Sequence, residues 1–444
     1  MDYKELVKSL VNKCIKKGAD GAEVYLEVGR NLRISVRNGE IESIQEAGSH
    51  GIGFRVLVKK RMAFSCCNDL SEKALENTIE RAIEFAKNTT PDENNIFPSE
   101  KGISKVEGLY DSSIKNIPME KKIELAKRVE EFAMKDPRIT KSAGAGYSEG
   151  EVEIYLANSN GLLKNYKATG FSFGVSVVAE KGDEKSSGSE FCSRRFFSDL
   201  ESPQKIGKEA AKKAYEMLDA RLVETQKASV IFTPDVAYAI LGGILSAING
   251  ERVLQGASFL RDKLGKKIAS ELLTVIDDGI RPKGLASAPF DGEGVPTQKR
   301  FIIEKGILKG FMYNTIVAKR AGVKSTGNAS RRGYTSTPGI GPHNFYMEAG
   351  KLSPDEIIKA TKKGLLLKIV TGYGINPVNG HFSGGASGLW IENGKIAYPV
   401  KGLTIAGNAF EMLSNIDMVG NDLDLNRSLT SPTFRIKIMQ IGGK

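Results

Sequence analysis

Between residues 21 and 67 the chain passes through short runs in which apolar and polar side chains alternate: AEVYLEV, NLRISVR, EIESIQE, GIGFRVLV and RMAFSCC. This alternation constrains the fold more than any other feature. Successive side chains of a strand point to opposite faces, so a period of two builds a sheet with a buried side. Asn38-Gly39 sits between two of the runs. That dipeptide accepts the positive φ of a tight hairpin, and the region reads as an antiparallel meander.

Helical periodicity brackets the meander. Leu6, Leu10, Val11, Cys14 and Ile15 recur at helical spacing, and SEKALENTIERAIEFAKN predicts an amphipathic helix over 71–88. After the Pro- and Asn-rich stretch TTPDENNIFPSEKG the order recurs: a helix over 118–134, strands within EVEIYLANSNGLLKNYKATGFSFGVSVVAE, and a helix over 203–218. Both copies carry an Asn-and-Gly turn and then a Gly-rich β run, GIGFRVLV and GFSFGVSVV. Residues 1–225 therefore read as an α+β domain, a degenerate duplication with repeats at 1–90 and 115–220. ASVIFT opens a new pattern, so 226–444 reads as a second, β-rich domain with a few helices and hairpins at IIEKGILKGF and WIENGKIAYPV. Its first helix, within PDVAYAILGGILSAING, is strongly apolar, and the Gly242-Gly243 pair permits close backbone packing.

Composition excludes several classes. At 444 residues, 40% hydrophobic and 26% charged, the chain is ordinary globular material. No apolar stretch is long enough to span a bilayer and the N-terminal segment lacks a signal-peptide core, so a cytoplasmic protein with no membrane partner is expected. The net charge of +11 is scattered among acids on helices at i, i+4 spacing, as a solvated surface would be, and direct nucleic-acid binding is not expected. Cys14, Cys66, Cys67 and Cys192 form no C-x-x-C and two adjoin, so reduced, buried thiols are expected.

Catalytic motifs are sparse. GFSFG, residues 170–174, matches G-x-S-x-G, but the β run continues through it and Ser172 lacks the strand-to-helix elbow a nucleophile needs. The Gly-rich stretches GIGFRV and GYGINPVNG have neither the third glycine nor the following helix of a dinucleotide site. Asp277, Asp278, Asp291 and Glu293 read as turn caps beside Gly279, Gly292 and Gly294. The long polar segment TGNASRRGYTSTPGIGPHN offers Arg331 and Arg332 as candidate contacts to a peptide or carboxylate. His50, His343 and His381 are the chain's three histidines, widely spaced, and His381, after the Asn379-Gly380 turn, is a further candidate cleft contact.

The blocks KGLASAPFDGEGVPTQKRFIIEKGILKGFMYN, KSTGNASR, WIENGKIAYPVKGLTIAGNAFEML and MVGNDLDL follow in that order, and GAEV and NGEIES extend the pattern into the N-terminal half. On these residues the chain resembles the TldD/PmbA family, historically labelled modulators of DNA gyrase. The resemblance implies a mixed α/β N-terminal region, a barrel-like C-terminal domain and a two-subunit cytoplasmic peptidase that accepts extended, unfolded peptides. In such a pair a TldD-type chain holds zinc through an H-E-x-x-x-H helix and a later cysteine, and a PmbA-type (TldE) chain is its paralogue.

Counting back from SELLTVIDDG, the zinc helix falls on Leu241-Gly242-Gly243-Ile244-Leu245-Ser246, so Leu241, Gly242 and Ser246 stand in a degenerate motif. The later cysteine is absent from NRSLTSPTFRIKIMQIGGK. The resemblance thus implies a PmbA/TldE-type subunit with no catalytic residues and no cofactor of its own, zinc in a heterodimeric TldD-like partner, and a homodimer when alone. Two rival expectations are a self-sufficient hydrolase using His343 and His381 with Asp or Glu, and a regulatory binding module linked to DNA gyrase.

Overall fold

The computed structural model describes residues 2–444, the side chain of Tyr373 excepted. The N-terminal half runs helix, three strands, helix, twice over: α1 (Tyr3–Lys16), β1 (Gly21–Arg37), β2 (Glu40–Val58), β3 (Arg61–Cys67), α2 (Glu72–Asn88), then α3 (Met119–Met134), β4 (Ile139–Asn158), β5 (Leu163–Lys181), β6 (Glu184–Arg194) and α4 (Pro203–Tyr215). The strands form one six-stranded sheet in the order β3-β2-β1-β4-β5-β6. Antiparallel β1 and β4 join its halves, from Glu23↔Asn158 to Val36↔Ala145.

The expected short runs merge into long strands. AEVYLEV and NLRISVR lie in a single strand of 17 residues, and EIESIQE and GIGFRVLV in one of 19. Gly29 does not interrupt β1 because it faces Ser49 on one side and Val152 on the other, so leaving the sheet there would orphan backbone groups on both edges. Asn38 and Gly39 make the hairpin turn with φ of 53° and 77°. Lys305-Gly306 and Asn393-Gly394 repeat that geometry in the two C-terminal hairpins. Ser71 caps α2 through the Ala74 N–H. The helix expected over 203–218 ends at Tyr215, where Leu218 N–H turns back to the Tyr215 carbonyl.

Parity along the strands assigns the two faces. Ala22, Val24 and Leu26 of β1, with Ile52, Phe54 and Val56 of β2, pack under α1 and α2. Leu32, Ile34 and Val36 pack under α3 and α4 with Phe171, Phe173 and Val175 of β5. Burying a set of such side chains stabilises each layer by about 1.5–3 kcal/mol per large residue. The intervening positions, Glu23, Tyr25, Gly51, Gly53 and Arg55, face the opposite side, where C-terminal segments cover one end of the sheet.

The C-terminal half begins with β7 (Gln226–Phe232) and α5 (Tyr238–Ala247). Strands Lys395–Asn408, His381–Glu392, Lys363–Ile375, β7 and Phe434–Gly442 pair in that order, and the first returns to the last from Thr404↔Gly442 to Ala406↔Gln440. The ring is closed and barrel-like, with Phe232 and Phe434 stacked 5.0 Å apart in its core. A five-stranded sheet stands beside it, built around β8 (Val275–Asp278) and including Asn344–Met347 and Leu429–Thr430. No helix among the described residues is long and apolar enough to cross a membrane.

Candidate functional site

α5 lies against the strand Lys363–Ile375 at backbone distance. A Cβ on Gly243 would collide with Ile375, and one on Gly374 would come within 2.5 Å of the Ala239 carbonyl. Gly242, the other member of the pair, faces open space. The structure also sets α5 beside Leu429–Thr430. α5 and the Leu429–Thr430 segment are therefore neighbours, although nearly two hundred residues separate them in sequence.

The residues at this junction do not fit a zinc ion. Leu241 is 1% exposed and belongs to the barrel-side core, Gly242 has no side chain, and Ser246 offers one hydroxyl. The adjoining 426–431 stretch supplies an amide, a guanidinium and hydroxyls, whereas zinc takes thiolate, imidazole or carboxylate. Among the described residues no group of three or more His, Cys, Asp or Glu is placed to hold a metal.

Next to α5 opens a cleft of about 250 Å³ between α4 and residues 424–430. Lys213 bridges Glu190 at 2.5 Å and Asp235 at 2.6 Å, and Arg427 reaches Asp235 at 3.1 Å. Burial alone would lower the Lys213 ammonium, but Asp235 and Glu190 outweigh it and raise its pKa. Most charges of the cleft are paired with one another, Glu209 being the lining carboxylate without an ion-pair partner among the described residues.

A second concentration of charge lies between the N-terminal sheet and the C-terminal half. Arg55 donates to Glu23 at 3.0 and 2.7 Å and to Glu293 at 2.9 Å, all three side chains being nearly inaccessible. Arg331 adds a further bond to Glu23 and donates to the carbonyls of Gly292 (2.6 Å) and Ser336 (2.9 Å). Its neighbour Tyr334 lies over Gly51 and Gly53, where a Cβ would strike its ring and its carbonyl. Glycine in β2 thus makes room for the loop to dock.

Beside this network a cavity of about 220 Å³ is lined by Tyr25, Tyr166, Phe290, Asp291, Arg331 and His343, among others. Burial and the neighbouring Glu293 push the Asp291 carboxyl up to about 7, against N–H donors from Ala329, Glu293 and Val295 that favour the charged form. Burial alone would lower the pKa of His343; Asp277, 3.4 Å from its Nδ1, overrides that and raises it.

The residues singled out from sequence are thus dispersed. Arg331 is turned inward, with a side chain 2% exposed, while Arg332 is exposed beside it. His381 is exposed at the first position of its strand, its N–H bonded to Asn379. His343 is buried against Asp277, and His50 is exposed on β2. Ser172 sits in mid-strand on β5, accepting from the Ser193 hydroxyl. Of the acids read as turn caps, Asp278 and Asp291 do cap turns through Ile280 and Glu293 N–H groups. Asp277 and Glu293 instead serve His343, Asn328 and Arg55. Their partners lie far away in sequence, and no local pattern announces them. Cys66 and Cys67 are half-buried rather than fully buried, because adjacent positions on an edge strand face opposite sides.

A helix-flanked antiparallel sheet joined to a closed, barrel-like sheet with a few helices defines an α+β architecture. Three family models agree: PmbA/TldA metallopeptidase domain 1 over residues 22–86, the central domain over 112–218 and the C-terminal domain over 225–443. The chain is 33% identical over 428 residues to metalloprotease PmbA of Escherichia coli O157:H7, covering 96% of this chain and 93% of the relative. A Bacteroides thetaiotaomicron structure described as a candidate modulator of DNA gyrase matches with a TM-score of 0.92 and 29% identity, covering 100% of both chains. TldE from Thermococcus kodakarensis matches with a TM-score of 0.87 and 26% identity, covering 98% of this chain and 99% of the other. The chain belongs to the PmbA/TldD metallopeptidase family.

Proposed function

We propose that this chain is the metal-free, PmbA/TldE-like subunit of a cytoplasmic metallopeptidase, completing a cleft for unfolded peptides with a zinc-bearing TldD-like paralogue. One observation carries the reading. At the place where the resemblance puts the zinc helix, α5 presents Leu241, Gly242 and Ser246, and the segment beside it, where the cysteine would stand, has none. Loss of one ligand set alone would leave a weakened site; loss of both leaves nothing for zinc to bind. Without its paralogue the chain pairs with a second copy of itself, as self-complementary surfaces of related subunits do.

The test is zinc content and peptidase activity of the purified chain, alone and after mixing with its paralogue. Near-zero zinc, with activity only in the mixture, is expected. About one zinc per chain, or full activity alone, would overturn the reading and favour a self-sufficient hydrolase.

A further inference from the structure

The strand Phe434–Gly442 loses register with β7 between Ile436 and Met439, so Lys437 and Ile438 bulge out of the barrel wall. The bulge opens a concavity of about 630 Å³, walled by β7, the turn at Ala360–Lys363, the Glu392-Asn393 hairpin end and the bulge itself. That volume falls within the range of small-molecule sites. Lys227, Lys362, Lys363 and Lys437 line it, all exposed and none with a carboxylate within ion-pair distance among the described residues. The lining contains one carboxylate, Glu392, and it accepts from the Tyr398 hydroxyl. Arg435 at the floor is already bound to Asp417 at 2.9 and 2.7 Å and to the Ala360 carbonyl and Thr361 hydroxyl.

Most other lysines in concave parts of this molecule face an acid, as Lys213 does. Here four exposed lysines line one concavity with no acid bonded to them, and a multiply charged anion gains from all four at once. Monovalent carboxylates neutralise too little of that charge. A linked row of phosphates carries several charges in a length that a pocket accepts, and lysine binds phosphate as a point charge without needing fork geometry. We propose that this concavity is an oligophosphate-binding site, its ligand being an inorganic oligophosphate or the phosphate chain of a nucleotide. Exposed Ile438, with exposed Ala360, supplies the apolar wall on which a nucleoside would rest.

The experiment is calorimetric titration of the full-length chain with sodium tripolyphosphate and, separately, with ATP, without divalent cations and at two salt concentrations. Saturable binding that weakens with salt is expected, falling about tenfold in the Lys362→Gln/Lys437→Gln double variant. A control pair on α1 and α2, Lys4→Gln/Lys73→Gln, should leave it unchanged. ATP binding that exceeds tripolyphosphate binding and is lost selectively in Ile438→Ser identifies the nucleotide as the source; equal binding identifies the inorganic chain. An equal loss in the control pair, no saturation, or tighter binding of a single-stranded oligonucleotide than of either probe overturns the proposal. The readout needs neither zinc nor the paralogue, so its failure leaves the proposed subunit role untouched.

Discussion

Replacing Arg55 with Met tests whether the buried charges hold the two halves together. The guanidinium makes three charge-assisted bonds, two to Glu23 and one to Glu293, with side-chain exposures of 3%, 1% and 0%. Removing one partner of a buried ion pair typically costs about 3–5 kcal/mol, because the remaining carboxylate keeps its desolvation penalty. Glu23 retains Arg331, and Glu293 retains the Thr315 N–H at 2.8 Å. The loss therefore belongs at the lower end, about 3 kcal/mol. Adding Glu293→Gln to the Arg55→Met chain removes the stranded charge and should recover about 1–2 kcal/mol. Equilibrium urea unfolding followed by far-UV dichroism reports the whole chain. Trp390, the single tryptophan, lies in the C-terminal core and reports that half by fluorescence. Both midpoints should fall together. A loss below about 1 kcal/mol, or a double variant worse than Arg55→Met, would refute the reasoning.

Glu130, buried on α3, accepts the N–H groups of Asn38 and Gly39 at 2.9 and 2.7 Å, so Glu130→Ala should destabilise the β1–β2 hairpin by about 2–3 kcal/mol, read as faster amide exchange at that turn. Gly51→Ala places a methyl group in the Tyr334 ring; the segment over 326–344 should then become protease-sensitive, and Tyr334→Ala in the same chain should restore part of the protection. Burial pushes the Cys14 thiol up to about 12, so at pH 8 it should resist a disulfide reagent until the chain is denatured, while half-buried Cys67 reacts first. The Asp291 carboxyl, raised to about 7, should titrate near that pH by carbon NMR rather than near 4. Because the folded value exceeds the unfolded one, its contribution to stability is fully present below about pH 4 and is lost as pH rises through 7.

What the sequence revealed and what it hid follow from distance along the chain. Ser71, Asn38-Gly39 and the helical spacing of Leu75, Ile79 and Ile83 act on neighbours a few residues away, and each element lies where those residues place it. The closed barrel depends on Thr404 meeting Gly442, yet the hairpin signals on either side already pointed to a β-rich second half. The buried network was illegible. Glu23 and Arg55 occupy the polar phase of an alternating pattern, which on a one-sided sheet means solvent. Docking of Tyr334, Arg331 and the segment carrying Phe290 and Glu293 on that face makes it interior. The same limit applied to α5, where the Leu-Gly-Gly sequence announced close packing without saying that Gly243 alone provides it.

The pairing of Arg55 with Glu293 sets a schedule for synthesis. The two are 238 residues apart, so at about 5–20 residues per second the acid emerges some 10–50 s after the arginine. Until then the outer face of the N-terminal sheet carries an unanswered glycine track at Gly51 and Gly53, open beside Glu23 and Arg55. The nascent sheet can assemble its helix-covered face early, but its other face must wait in water, held open for a loop the ribosome has not yet made.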